Sequence, residues 1–211
     1  MDLKKEKELI NNGYNSVCAI DEVGRGPLAG PIVICCYILD MEKLSASEQS
    51  FMLDKINDSK KLSDKKRREI FDFIKSISVD FSFGEASNTE IDNYGIIEAN
   101  RLAIERGINN LKNKPDYILF DYNTCDVNFL KIPYEKIIKG DSLVLSIACS
   151  SVLAKVYRDD MMVEFSKKYY QYGFDKHAGY GTKKHMEAIK EFGLSDLHRK
   201  SFCKNIIKWI N

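Results

Sequence analysis

Residues 17–30, VCAIDEVGRGPLAG, decide how the rest of this chain is read. The stretch opens as an apolar strand, Val17-Cys18-Ala19-Ile20, and ends on two consecutive carboxylates, Asp21 and Glu22. Gly24-Arg25-Gly26 follow at once, then Pro27, Gly30 and Pro31. Paired acids at a strand end can hold a hard cation such as Mg²⁺, which takes oxygen ligands. Glycines on both sides of Arg25 let main-chain N–H groups come close to a ligand, because no Cβ intervenes. Taken alone, the string reads more simply as a strand end and a tight turn with solvated charges. The metal reading overtakes it only if acids elsewhere in the chain converge on the same point.

Working outward, residues 32–39, IVICCYIL, are continuously apolar and predict a second strand buried on both faces. The short, turn-rich connection predicts antiparallel pairing with the first strand, which is read as residues 17–21. Residues 78–86, SVDFSFGEA, alternate apolar and polar positions and predict a third strand. A helix over residues 96–111 then leads to Tyr117-Ile118-Leu119-Phe120-Asp121, the same pattern as Ile20-Asp21. A helix between strands predicts a parallel crossover, with both strand ends on one edge of the sheet. Ligands of open α/β sheets gather outside the carboxyl ends of strands, so Asp21 and Asp121 are expected to meet there. Residues 136–139 are the candidate last strand. Gly140-Asp141-Ser142 break it, and one long helix is expected through about Tyr169. Leu145, Ala148, Cys149, Val152, Leu153 and Val156 form its core stripe, with Ser142, Ser146 and Ser150 beside it. Asp141 reads as a plain helix N-cap or as a further acid at the same edge.

Between these elements, residues 2–12 read as a short charged helix and residues 42–56 are ambiguous. Ser63 is the expected cap of a helix whose apolar face is Ile70, Phe71, Phe73, Ile74 and Ile77. Lys60 and Lys61 lie in the loop just before it, where a phosphate is well placed. Residues 88–94 predict a short capped helix. In the tail, Tyr172-Gly173-Phe174 and Lys176-His177-Ala178-Gly179-Tyr180-Gly181-Thr182 precede a capped helix from Thr182 to about Phe192. His198-Arg199-Lys200-Ser201-Phe202 follow. Aromatic residues interleaved with cations and glycines suit nucleic-acid contact through stacking and phosphate pairing. His177, His185 and His198 match no zinc spacing and are expected to be solvated or capping.

Composition narrows the class further. A chain of 211 residues, 44% hydrophobic and 30% charged, is that of an ordinary soluble globular protein with one main core and an appended lobe, or two small domains. The formal net charge of +1 does not announce a nucleic-acid binder, although Lys and Arg outnumber Asp and Glu after Val152. No apolar run is long enough for a bilayer, and MDLKKEKELI lacks a signal-peptide core. The six cysteines have no CxxC spacing and are expected to be reduced and buried, as in a cytoplasmic protein.

At this point the residues carry a resemblance. The chain resembles bacterial ribonuclease HII, the type 2 ribonuclease H family, over nearly its whole length. The matching segments are AIDEVGRGPLAGP at 19–31, DSKKLSDKKR at 58–67, FDYN at 120–123, KGDSLVLSIACSSVLAKVYRD at 139–159, YGFDKHAGYGT at 172–182 and HRKSF at 198–202. The resemblance implies a ribonuclease H-like α/β fold, a mixed sheet flanked by helices, with a catalytic core over residues 1–170 and a helical lobe over 171–211. It places the family's catalytic and metal-binding Asp-Glu-Asp-Asp set on Asp21, Glu22, Asp121 and Asp141, and its Gly-Arg-Gly motif on Gly24, Arg25 and Gly26. Its ribonucleotide-sensing tyrosine falls on Tyr180. Tyr122 departs from the pattern, since the family commonly has glycine after the third acid. The Gly-Arg-Gly motif sets the chain apart from ribonuclease HIII, which typically differs at that arginine and carries an extra N-terminal domain; the residues before Val17 leave no room for one. The implied reaction uses Mg²⁺ or Mn²⁺ to hydrolyse RNA–DNA hybrids and to cut on the 5′ side of ribonucleotides embedded in duplex DNA. It leaves a 3′-hydroxyl and a 5′-phosphate, in ribonucleotide excision repair, by a cytoplasmic monomer with no membrane partner. A metal-dependent phosphatase or phosphotransferase would not need Gly24-Arg25-Gly26 and a distant tyrosine. A silent nucleic-acid-binding protein would not need all four acids.

Overall fold

The computed structural model describes residues 1–44, 55–56, 64–121 and 125–207 of the chain. Ser63, Lys60, Lys61 and Tyr122 lie outside the described residues, as does most of the ambiguous 42–56 segment. The sheet is built around β1 (Val17–Val23) and β2 (Ile32–Leu39), which pair antiparallel. Every residue of β2 is buried. Successive side chains on a strand point to opposite faces. Ile34, Cys36 and Ile38 therefore enter one core, and Cys35, Tyr37 and Leu39 enter another. β3 (Ser78–Ala86) pairs antiparallel with the far edge of β2. β4 (Tyr117–Asp121) runs parallel to β1, and β5 (Tyr134–Ile137) parallel to β4. The order is β3-β2-β1-β4-β5.

Helices cover both faces. α1 (Lys4–Asn11) precedes the sheet, and α2 (Asp64–Ser76) lays Ile70 and Ile74 on the Cys35–Tyr37 face. α3 (Asn88–Tyr94) starts with a capping box, in which the Ser87 hydroxyl and the Glu90 carboxylate each accept the other's main-chain N–H. α4 (Ile96–Asn110) packs Ala99, Ala103, Ile104 and Ile108 on the opposite face. Gly84 of β3 makes that contact possible: a Cβ there would stand 1.9 Å from the Ala103 carbonyl oxygen.

After β5 come α5 (Gly140–Leu143) and α6 (Leu145–Lys168), the latter burying Leu145, Cys149, Val152 and Leu153 beside α2. The expected single long helix is thus interrupted. The cause is the N-terminus: Asp2 forms a parallel bridge with Val144, accepting from Leu145 N–H and donating to the Leu143 carbonyl. Val144 is held extended, and the Glu6 carboxylate takes over capping by accepting the Ser146 N–H at 2.8 Å. Two strand ends also differ from expectation. β1 continues past Asp21 because Glu22 and Val23 still pair with Ile34 and Val33. β5 ends at Ile137, since its partner β4 runs out at Asp121 and Ile138 turns to solvent. Ser146 and Ser150 are buried as part of the small stripe, whereas Ser142 is exposed.

The C-terminal segment adds α7 (Phe174–His177), α8 (Lys183–Phe192) and α9 (Lys204–Ile207). Tyr172, Phe174, Ala188, Ile189 and Leu197 form its core with Ala29 and Met162. The six cysteines are all free and buried. No described helix is long and apolar enough to cross a membrane.

Candidate active site

The parallel pairing of β1 and β4 sets Ile20 opposite Phe120, so the acids that follow each of them, Asp21 and Asp121, emerge side by side. Asp21 is only 8% exposed. Burial, then the negative charges of Glu22 and Asp121, pushes its carboxyl up to about 7, against a hydrogen bond from the Ser151 hydroxyl that favours the ionised form. The Asp21 carboxylate accepts the Glu22 N–H at 2.8 Å. Its own N–H donates to Ser150 Oγ at 3.0 Å, and that hydroxyl donates to the Cys35 carbonyl at 2.8 Å. The small stripe of α6 therefore locks the acid-bearing end of β1.

Glu22 is also raised, by burial first; the Arg25 guanidinium opposes this and the Asp121 charge adds to it. Arg25 Nη1 stands 3.6 Å from Glu22 Oε1. Because β1 remains extended through both acids, Asp21 and Glu22 leave it on opposite sides, yet both feel Asp121. Asp121 is oriented by the Gly140 N–H, which donates to Oδ1 at 2.8 Å. That bond brings the start of α5, and Asp141 with it, to the same edge. Asp141 is not the N-cap: that place belongs to Lys139, in the left-handed region with φ 56°. The Asp141 carboxylate instead lies within the first turn and accepts from Ser142 Oγ at 3.2 Å. Among the described residues no three His, Cys, Asp or Glu side chains are already drawn into a ready-made metal cage. The chemistry of the donor set nonetheless fits a hard divalent cation. It consists of half-buried and buried carboxylate oxygens whose mutual repulsion a cation would relieve.

The loop after the acids is joined to the tail. Gly24 has φ +87°, and a Cβ on it would fall 2.2 Å from Arg158 Nε, so the turn accepts only glycine. Gly26 is exposed. Leu28 N–H donates to the Gly179 carbonyl at 2.9 Å, and Arg199 N–H donates to the Leu28 carbonyl at 2.8 Å. These bonds bring Gly24-Arg25-Gly26 and the Tyr180 turn into one assembly. Tyr180 is 43% exposed and stands outside the core of the tail. Tyr172 and Phe174, by contrast, are buried and stacked at 5.5 Å, so they build the lobe and offer no face to a base.

The histidines differ from expectation. His185 and His198 are buried and bonded to each other, Nε2 to Nε2, at 3.1 Å. The bonds fix one direction. Ser195 N–H donates to His198 Nδ1 at 2.9 Å, so His198 carries its proton on Nε2 and gives it to His185. His185 then donates from Nδ1 to the Tyr180 carbonyl at 2.9 Å. Both rings are neutral, with pKa values pushed down to about 4 mainly by burial. Spacing in sequence gave no hint of this, because the pair closes only when α8 and the segment after it fold together.

Sequence reasoning also passed over Arg158 and Arg199, both fully buried. A signal existed for the first: Ala154, Arg158 and Met162 repeat every four residues and all are buried, which places a cation on an apolar stripe. Beside Tyr180, Arg67, Arg68, Lys155 and Lys176 line a groove of about 430 Å³ together with Asp159 and Asp175, so cations outnumber acids along the path to the exposed ring.

The chain has relatives among known proteins. The family model described as Ribonuclease HII covers residues 18–205. Ribonuclease HII of Clostridioides difficile (strain 630) is 44% identical over 202 residues, 96% of this chain and 75% of that protein. The crystal structure of ribonuclease H2 from Pyrococcus horikoshii OT3 superposes with a TM-score of 0.73, covering 93% of this chain and 99% of that one at 23% identity. Bst-RNase HIII in complex with Mn²⁺ gives a TM-score of 0.66 over 93% of this chain and 70% of that one, at 15% identity. The two structural likenesses are ones of fold.

Proposed function

The chain belongs to the ribonuclease HII family and is thus a ribonuclease H that cuts RNA–DNA hybrids, and we propose that the acidic sheet edge is where it cuts. The observation that carries this is the convergence of Asp21, Glu22 and Asp121, with Asp141 tied in through Gly140. These four carboxylates would hold Mg²⁺ or Mn²⁺, which at this edge would supply water activation and charge neutralisation at the scissile phosphate, with two ions sharing the task. The Mn²⁺ bound by the HIII neighbour supports a divalent ion in this fold.

The chain's own groups do the rest. Ser151 and the Glu22 N–H hold the Asp21 carboxylate in one orientation, and the Gly140 N–H holds Asp121. Arg25 tempers the charge of Glu22. Gly24-Arg25-Gly26 and Tyr180 together read the sugar: main-chain groups reach the ribose beside the scissile phosphate, and the phenol meets its 2′-hydroxyl, which both donates and accepts. Cutting falls on the 5′ side of the ribonucleotide, including one embedded in duplex DNA, and leaves a 3′-hydroxyl and a 5′-phosphate. The segment 171–211 acts as the lobe that carries Tyr180 over the edge, and Lys60, Lys61 and the cationic groove take backbone phosphates, which give affinity without base readout. The enzyme works as a monomer in the cytoplasm.

The test is incubation of a duplex with one ribonucleotide, with and without Mg²⁺ or Mn²⁺, for wild type and Asp121→Asn. Cleavage at the 5′ side by wild type only with metal, and its near loss in a folded Asp121→Asn, is the expected result. Wild-type rates from Asp121→Asn in limiting metal would remove Asp121 from the site.

A further inference from the structure

We infer that Arg158 and Arg199 are positioning residues that fix the direction of the Gly24–Arg25–Gly26 main chain and its place against the Tyr180 turn. The inference rests on the reading of that loop and Tyr180 as the part that recognises ribose.

Both side chains are fully buried, and among the described residues they make six side-chain hydrogen bonds to main-chain carbonyls and none to a carboxylate. Arg199 donates from Nη2 to Gly24 O at 2.6 Å, from Nη1 to Arg25 O at 3.0 Å and from Nε to Gly30 O at 2.9 Å. Arg158 donates from Nε to Pro31 O at 2.9 Å, from Nη2 to Ala29 O at 3.1 Å and from Nη1 to Ala178 O at 2.9 Å. Two guanidinium groups in dry surroundings, with no ion-pair partner among the described residues, are costly to a fold. The strain shows in the Arg199 pKa, pushed down to about 9 by burial and by the charge of Arg158. A fold that needed only volume here would fill it with apolar side chains.

What the arginines supply is direction. In a trans peptide the C=O and the following N–H lie in one plane and point opposite ways. With the Gly24 and Arg25 carbonyls turned inward onto Arg199, the N–H groups of Arg25 and Gly26 are turned the other way. Two successive donors are thus aimed outward from the loop directly after Asp21 and Glu22. Arg158 supplies distance. Its shaft passes under Gly24, and its Nη1 reaches the carbonyl two residues before Tyr180. One rigid planar fork thereby spans both halves of the ribose reader. Lysine cannot replace it, because an ammonium has no planar fork of donors in fixed directions.

The experiment uses Arg158→Lys and Arg199→Lys, which keep the charge and lose the fork. Initial rates with Mg²⁺ are compared on a duplex carrying one ribonucleotide and on a full RNA–DNA hybrid. Positioning predicts kcat on the single ribonucleotide down by about a hundredfold, KM little changed, and a smaller loss on the hybrid, where many ribonucleotides offer alternative registers. Folded variants with a lower Tm but an unchanged ratio between the two substrates would overturn the inference and leave the ribose reading standing. Failure of the wild type itself on the single ribonucleotide would remove the ribose reading, and the inference with it. If neither variant folds, guanidinium NMR of the wild type decides. The Nη protons of both arginines should give separate, slowly exchanging signals, and freely rotating, averaged ones would overturn the assignment.

Discussion

Asp21 shows how a single residue can be both poorly placed for stability and well placed for chemistry. Burial pushes its carboxyl up to about 7 in the fold, from an ordinary value of 3.8. An acid whose pKa rises on folding binds more protons folded than unfolded between those two values, so stability falls as pH rises from about 4 to about 7. A shift of about three units corresponds to roughly 4 kcal/mol, an upper bound for one partly relaxed site. Asp21→Asn removes the titration. The metal-free variant should therefore melt several degrees above wild type at pH 7.5, with the difference shrinking to nothing near pH 4, while cleavage is lost. Thermal melts of both proteins across that range in chelator check it, and equal Tm values at pH 7.5 would show that Asp21 is not strained. Added Mg²⁺ should narrow the gap by stabilising wild type alone.

At the scale of elements, the segment from α8 to Arg199 is organised by a one-way chain of donors ending on the Tyr180 carbonyl. Protonating His185 sets two N–H groups against each other across 3.1 Å, and protonating His198 sets its Nδ1–H against the Ser195 N–H, which adds to burial in holding both pKa values near 4. A base with a lowered folded pKa contributes stability that is full above its unfolded value of about 6.5 and is lost as pH falls toward 4. His185 and His198 should accordingly show flat imidazole NMR shifts from pH 7.5 to 5.5, in neutral tautomers with His198 protonated on Nε2 and His185 on Nδ1. A midpoint above 6 for either ring would contradict the pairing. The element also explains why the tail's aromatics divide as they do. Phe174 meets His185 at a right angle and stacks on Tyr172, so these rings hold the lobe together. Tyr180, one turn away, is left outside.

Across the whole molecule, the net charge of +1 hides a separation of sign. Acids crowd the carboxyl ends of β1 and β4, and in the groove beside Tyr180 Arg67, Arg68, Lys155 and Lys176 outnumber Asp159 and Asp175. In the proposed function a polyanion is drawn by the second region and cut at the first. Lys176 is an exposed member of the groove and is ion-paired with neighbouring Asp175 at 2.9 Å. Lys176→Ala should weaken duplex binding by a similar factor for every base sequence. It should also reduce the slope of log affinity against log salt by roughly 0.9, the value for one lost phosphate contact on B-DNA. Binding titrations at several salt concentrations measure it, and an unchanged slope would put Lys176 outside the contact surface.

The sequence by itself determined the strands and the acids. An unbroken run such as residues 32–39 has no polar face to expose, so burial on both sides follows from composition alone. The helix between the first strands and residues 117–121 forced a parallel return, and with it the meeting of Asp21 and Asp121. Capping was equally local: Thr182 accepts the His185 N–H, as its position before the helix required. Tertiary structure alone decided what depends on distant partners. The break at Val144 is made by Asp2, the neutral histidine pair by α8 meeting residues 195–198, and the aim of Gly24–Gly26 by Arg158 and Arg199. A side chain's spacing along the chain reports the periodicity of its own element. It carries no record of which carbonyl, more than a hundred residues away, will satisfy its donors once the core has closed.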